Sequence, residues 1–170
     1  MLRRRLVAIA LGLACVAGAP ACGPSIDLKT ALTVTDVLTG WYDDGVVNGQ
    51  NHLVPSVSFR LKNTGAAPIA EVDLSVSFWR DGEDGEWQSV EVRGIGSTAV
   101  APGGSTEPMF VRSDVGYNLP SARAELFANR EFKDATVKLF AKRGGQIVPI
   151  GEFKLDRRII PHLPQTSGRP

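Results

Sequence analysis

Trp41, Tyr42, Asp43 and Asp44 are the adjacent side chains best suited to contact a partner. Aromatic residues are enriched in protein interfaces, and carboxylates beside them add hydrogen-bond acceptors. The stretch 40–45 begins and ends with glycine, which is typical of a turn that presents its side chains to solvent. We therefore predict a candidate binding surface at these four residues. The alternative is that both aromatic rings pack in the core or at a sheet edge.

A second acidic stretch contains Asp81, Glu83, Asp84 and Glu86. Calcium prefers several oxygen ligands, which carboxylates and carbonyls in a turn supply. The residue order of an EF-hand is absent, and turns also use Asp and Gly for their own backbone conformation. We predict solvated turns with no metal site, and a weak calcium site is the alternative.

Catalytic patterns are missing from the chain. Its two histidines, His52 and His162, have no G-x-S-x-G or H-E-x-x-H pattern around them. The sequence therefore predicts a protein that is not an enzyme and uses no cofactor.

The first 21 residues have the three parts of a secretory signal peptide. Arg3, Arg4 and Arg5 form the basic region, residues 6–16 are apolar, and residues 19–21 read Ala-Pro-Ala, which suits signal peptidase. The apolar run is shorter than the roughly 20 residues that span a bilayer. We predict export, with residues 1–21 removed.

Cys22 would then be the first residue of the mature chain. The sequence Ala19-Pro20-Ala21-Cys22 resembles the bacterial lipobox, in which a Cys that carries lipid follows small residues. This resemblance implies lipidation at Cys22 and a membrane partner through the N-terminal lipid. Gly23 stands where the enterobacterial sorting rule places Asp for inner-membrane retention, so the resemblance favours the outer membrane, facing the periplasm. The alternatives are ordinary cleavage, which leaves a soluble periplasmic or secreted protein, and modification at Cys15.

Charge is distributed unevenly along the 170 residues. The whole chain carries a formal charge of +1, which predicts no nucleic-acid partner. Residues 22–122 hold 6 basic and 13 acidic side chains, whereas residues 123–170 hold 10 basic and 5 acidic ones. The basic C-terminal third could face lipid or a cell-wall polymer, or could only keep the domain soluble.

Alternating apolar and polar residues predict a series of β-strands. The alternation is clearest at 57–62 and 72–79, and weaker strands are predicted at 31–39, 87–92, 98–100 and 106–111. Residues 136–142 and 146–155 flank Gly144-Gly145, which predicts a hairpin. A short helix is expected after Pro120. We predict a mainly β, immunoglobulin-like antiparallel sandwich over 31–160, with a tether at 22–30 and a flexible tail at 161–170.

Three segments of this pattern resemble the bacterial FxLYD-type domain, which is similar to the late-embryogenesis β-sandwiches. They are a strand ending in Asn63-Thr64-Gly65, an apolar strand running into Asp81, and Pro102-Gly103 before the next strand. The mature chain as a whole resembles envelope lipoproteins of similar length. The resemblance implies a binding or scaffolding module whose partner is an envelope protein or the cell wall. A soluble module that binds a small ligand or calcium is the alternative.

Overall fold

The computed structural model describes residues 26–120 and 123–160. These residues form nine strands and two short helical segments. The strands are β1 (Leu32–Val47), β2 (Gln50–Asn63), β3 (Val72–Arg80), β4 (Gln88–Ile95), β5 (Met109–Arg112), β6 (Tyr117–Leu119), β7 (Ala135–Arg143), β8 (Gln146–Lys154) and β9 (Ile159–Ile160). The one-turn helix α1 (Leu28–Ala31) precedes β1, and a 3₁₀ helix (Arg123–Ala128) precedes β7.

The strands form two sheets that face each other. The first sheet has the order β5-β2-β1-β9, with β6 also paired to β2, and the second has the order β4-β3-β7-β8. All pairs are antiparallel except β1 with β9, which is parallel. The predicted mainly β sandwich with a short helix before the C-terminal hairpin is therefore confirmed.

The core lies between the sheets and follows the alternation in the sequence. Val57, Phe59 and Leu61 of β2 are fully buried, as are the alternate apolar residues of β3 and β7. Successive side chains of a strand point to opposite faces, so one apolar face per strand is enough to build this core. Burial of these faces is the main favourable contribution to folding.

Strand β1 is longer than predicted. We expected it to end at Thr39 and to be followed by a turn at 40–45, whereas it continues to Val47. Two irregularities in its pairing with β2, at 35–38 and 43–46, take up the turn-like residues, with Asp36 and Gly45 at positive φ. The turn lies at Asn48-Gly49, which both have positive φ, as a two-residue hairpin turn requires.

Other boundaries also differ from the prediction. The strand expected at 98–100 is a single bridge between Val100 and Ile69, and the strand expected from Thr106 begins at Met109. Pro108 has no N–H to donate, which is consistent with the late start. The short strands β6 and β9 were not predicted, because two or three residues carry too little alternation to detect.

The predicted tether over 22–30 is too long at its C-terminal end. Leu28 has none of its surface exposed and belongs to the main core, and Ala31 is also buried. The Asp27 side chain caps α1 by accepting a hydrogen bond from the Lys29 N–H at 3.0 Å. The folded domain therefore includes residues 28–30. The predicted signal peptide, Cys22 and the tail at 161–170 lie outside the described residues.

Candidate functional site

Trp41 is an internal residue, so its prediction as an exposed contact was wrong. None of its surface is exposed, and its ring lies 5.4 Å from that of Tyr117, 5.2 Å from Phe132 and 6.3 Å from Trp87. These four rings and Phe127, which contacts Phe132, form what we call the aromatic cap. The cap is part of the apolar core rather than a free surface.

Tyr42 points to the opposite face of the same sheet, as the neighbour of Trp41 in an extended strand must. Only 1% of its surface is exposed, so it is not an exposed aromatic contact either. It forms a small apolar cluster with Val54 and Ile160, and the Phe110 ring lies 5.2 Å away. The alternative of sheet packing is therefore what the structure shows for both aromatic residues.

Asp44 belongs to a polar group on this outer face, next to Tyr42. Its Oδ2 lies 3.1 Å from Nη1 of Arg112 and 3.4 Å from Nδ1 of His52. The Arg112 guanidinium also lies 5.6 Å from the centre of the Tyr42 ring. We call Tyr42, Asp44, His52 and Arg112 the Arg112 patch. About a quarter of the Asp44 side chain and 30% of the Arg112 side chain are exposed, so a partner can reach both charges.

Of the four predicted residues, Asp44 has a partly exposed charge, and it lies beside residues that the sequence did not indicate. Asp43 uses its side chain locally, since its Oδ1 accepts a hydrogen bond from the Gly45 N–H at 3.0 Å. His52 and Arg112 each lie two residues from an outward apolar neighbour, Val54 and Phe110. That spacing places them on the same face of their strands. Only the pairing of β2 with β1 and β5 brings them to Asp44.

The second acidic stretch is held by cations and hydroxyl groups of the protein. Glu83 accepts hydrogen bonds from Nε and Nη2 of Arg80 at 2.7 and 2.6 Å, and from Nζ of Lys133 at 2.9 Å. The Lys133 hydrogen bond, with that of Arg80, lowers the pKa of Glu83 from its ordinary value. Asp81 accepts from Thr136, and Glu86 accepts from Ser77.

These contacts give the acidic side chains structural roles at the end of the sandwich. In residues 26–120 and 123–160, no three side chains of the His, Cys, Asp and Glu types converge to hold a metal ion. The carboxylates of Asp81, Glu83 and Glu86 therefore act as partners of Arg, Lys, Ser and Thr side chains in the structure.

The aromatic cap is closed from outside by arginines. Arg157 donates two hydrogen bonds to Asp134, at 2.8 and 2.7 Å, and its guanidinium lies 5.3 Å from the Phe132 ring. The hydrogen bond from Arg157 lowers the pKa of Asp134, and Asp134 raises the pKa of Arg157 in return. Arg80 stacks in the same manner at 4.7 Å from Trp87. We call this end, with the 80–87 loop and residues 129–134 and 155–158, the cap end.

The N-terminal end of the described chain is fixed at the other end of the sandwich. The Gln146 side chain donates to the Ile26 carbonyl at 2.7 Å and accepts from the Leu28 N–H at 3.2 Å. Thr64 donates its N–H to the Ala31 carbonyl, which joins the 64–71 loop to this end. We call this the α1 end, comprising α1, the loops 64–71 and 96–105, and the turn at Gly144-Gly145. No helix among the residues that the structure describes is long and apolar enough to cross a bilayer.

No protein-family model matches the sequence, and no curated protein is similar to it. Among solved structures, a structural genomics target named SoR45 is 14% identical, covers 85% of this chain and all of the other, and has a TM-score of 0.44. A putative ApaA protein from Bordetella pertussis is 24% identical over 74% of this chain and 93% of the other, with a TM-score of 0.37. The protein AT1g01470 from Arabidopsis thaliana is 16% identical over 81% and 85%, with a TM-score of 0.42. At these values the similarities carry no argument about function, and the resemblance to FxLYD-type domains stays a prediction.

Proposed function

We propose that this chain is a bacterial envelope lipoprotein, anchored through lipid on Cys22, whose β-sandwich is a non-catalytic binding or scaffolding module. The basic, apolar and small-residue segments before Cys22 support export and lipidation. Several acyl chains on one residue would anchor the protein stably, whereas one chain binds only marginally. Gly23 supports the outer membrane as the destination.

The single observation that carries the proposal is the position at which the chain enters the folded domain. Leu28 is already fully buried, and Ile26 is held by Gln146. Only residues 23–25 separate Cys22 from Ile26. A lipid on Cys22 would therefore hold the folded domain within about 14 Å of the anchored residue.

The Arg112 patch is the surface that we assign to the partner. It combines a guanidinium, a carboxylate and an imidazole over the buried Tyr42 ring, and Arg is enriched where proteins bind one another. Strand pairing holds the patch in place, because Asp44 lies on β1, Arg112 lies on β5, and both strands pair with β2. A preorganised patch loses less side-chain entropy on binding. An envelope protein or a cell-wall polymer with hydrogen-bonding groups fits this chemistry.

The proposal is tested by the intact mass of the mature protein from its native membrane fraction. We expect a mass that corresponds to a chain starting at acylated Cys22. The variant Cys22→Ser should lose the added mass and leave the membrane fraction. Cys15→Ser is the matched control, because residue 15 lies in the segment that is removed, and its mature mass should be unchanged. An unmodified mature chain in the soluble fraction would refute the lipoprotein proposal.

The partner surface is tested by a photo-crosslinking side chain placed beside the patch. Asp114, whose side chain is 78% exposed, lies next to Arg112, and Arg93 on the outer face of the other sheet is 59% exposed. We expect a discrete crosslinked product in cells from position 114, and much less from position 93. Equal products from both positions would contradict a partner site at the Arg112 patch.

A further inference from the structure

We infer that the α1 end of the sandwich lies against the phospholipid headgroups, and that the cap end points away from the membrane. This inference rests on the proposed lipidation of Cys22. It goes further by assigning the surface that contacts lipid and the surface that is left for other partners.

The first support is the short reach of the chain between the anchor and the domain. Four Cα steps join Cys22 to Ile26, and four residues extend to at most about 14 Å. Ile26 has little freedom of its own, because Gln146 binds its carbonyl at 2.7 Å and Leu28 is fully buried two residues later. The α1 end must therefore stay within about 14 Å of the lipid-bearing residue.

The second support is the charge of the α1 end, which does not depend on the anchor. The loops 64–71 and 96–105 contain a single charged residue, Glu71, and are rich in Gly, Ala, Ser and Thr, and α1 adds only Lys29. The nearby Arg143 donates to the Ala70 carbonyl at 2.9 Å and so uses part of its hydrogen-bonding capacity within the protein. Removing a charge from water is costly, so loops that carry few charges approach the bilayer at a lower cost than strongly charged loops do.

The cap end carries many more charged residues than the α1 end. Five of the eight residues at 80–87 are charged, and so are Asp156, Arg157 and Arg158 in the segment 155–158 of this end. The nine residues of β3 run from one end to the other, and eight steps of about 3.3 Å separate its ends by roughly 26 Å. This distance exceeds the reach of the tether. Many basic residues of the C-terminal third, such as Arg130, Lys133 and Arg157, would then face the periplasm rather than lipid.

The orientation is tested with the lipidated full chain in vesicles of phosphatidylethanolamine and phosphatidylglycerol that carry a nitroxide on the headgroup. A fluorophore is attached to one introduced cysteine at a time, while the Cys22 sulfur is blocked by lipid. Ala66→Cys and Thr98→Cys report on the α1 end, and Asp84→Cys reports on the cap end; all three positions are exposed. We expect severalfold stronger quenching at 66 and 98 than at 84, with the difference lost when detergent dissolves the vesicles.

Equal quenching at both ends, or stronger quenching at 84, would overturn the inferred orientation. Flotation of the same samples with the vesicles, and the mass of the chain, separate this outcome from a failure of the proposed function. A protein that floats and carries lipid but shows equal quenching at both ends would support the lipid anchor and refute the inferred orientation. A protein that neither floats nor carries lipid would refute both the lipid anchor and the inferred orientation.

Discussion

Replacement of Leu28 by alanine tests whether the residues after Cys22 are tether or domain. Leu28 is completely buried in the main core, immediately after the residue that caps α1. Replacing a buried Leu with Ala removes its transfer free energy and leaves a cavity, which together cost about 2–5 kcal/mol. Loss of about 3 kcal/mol in a domain of this size lowers the melting temperature by roughly 10 °C.

The assay is urea and thermal unfolding followed by circular dichroism, with Leu28→Ala beside Lys29→Ala. Lys29 is the exposed neighbour in the same helical turn, and its replacement should change stability by no more than about 0.5 kcal/mol. A Leu28→Ala protein as stable as the Lys29→Ala protein would refute the assignment of residue 28 to the core. The domain boundary would then return to that predicted from the sequence.

Two further predictions concern the cap end and the outer sheet. The pKa of Asp134 lies below its ordinary value of 3.8 because Arg157 binds its carboxylate. The ion pair therefore stabilises the fold above pH 3.8, and this contribution is lost as the pH falls through the lowered pKa. Asp134→Asn should therefore destabilise the protein by no more than about 1 kcal/mol at neutral pH, and urea unfolding should show this difference shrinking toward pH 2; a constant difference would contradict the ion pair. A Cβ at Gly116 would lie 2.1 Å from the Leu53 carbonyl oxygen, whereas one at Gly145 would meet nothing within 4 Å. Gly116→Ala should accordingly cost about 1–3 kcal/mol, and Gly145→Ala should be nearly neutral in the same unfolding assay; equal effects would be inconsistent with the close approach of residues 116 and 53.

The strands with clear alternation were predictable because their information is local. The side chains at 72–79 alternate between apolar and polar types, and the observed strand, Val72–Arg80, agrees within one residue. The hairpin around Gly144-Gly145 was predicted for the same reason, with one residue of difference at its boundaries. A period of two is visible within a few residues and needs no knowledge of the rest of the chain.

The candidate surface was less predictable because it depends on residues far apart in the chain. Gly40 and Gly45 favoured a turn, yet β1 continues through them because β2 pairs along its length and bulges absorb the irregular residues. Once the strand continues, Trp41 must point inward, and the rings that cover it come from residues 87, 117 and 132, which are distant in the chain. Arg112 reaches Asp44 because β2 lies between their strands.

From the sequence alone we predicted an export signal at the N terminus, a sandwich built from sheets with one apolar face each, and the places where most strands end. These features follow from composition and from neighbours a few residues apart. Tertiary structure decided that Leu28 is core, that Trp41 is internal, and that Asp44 is joined by His52 and Arg112. Each of these outcomes depends on contacts between segments more distant in the chain, whose positions are set by sheet pairing and core packing together rather than by local pattern.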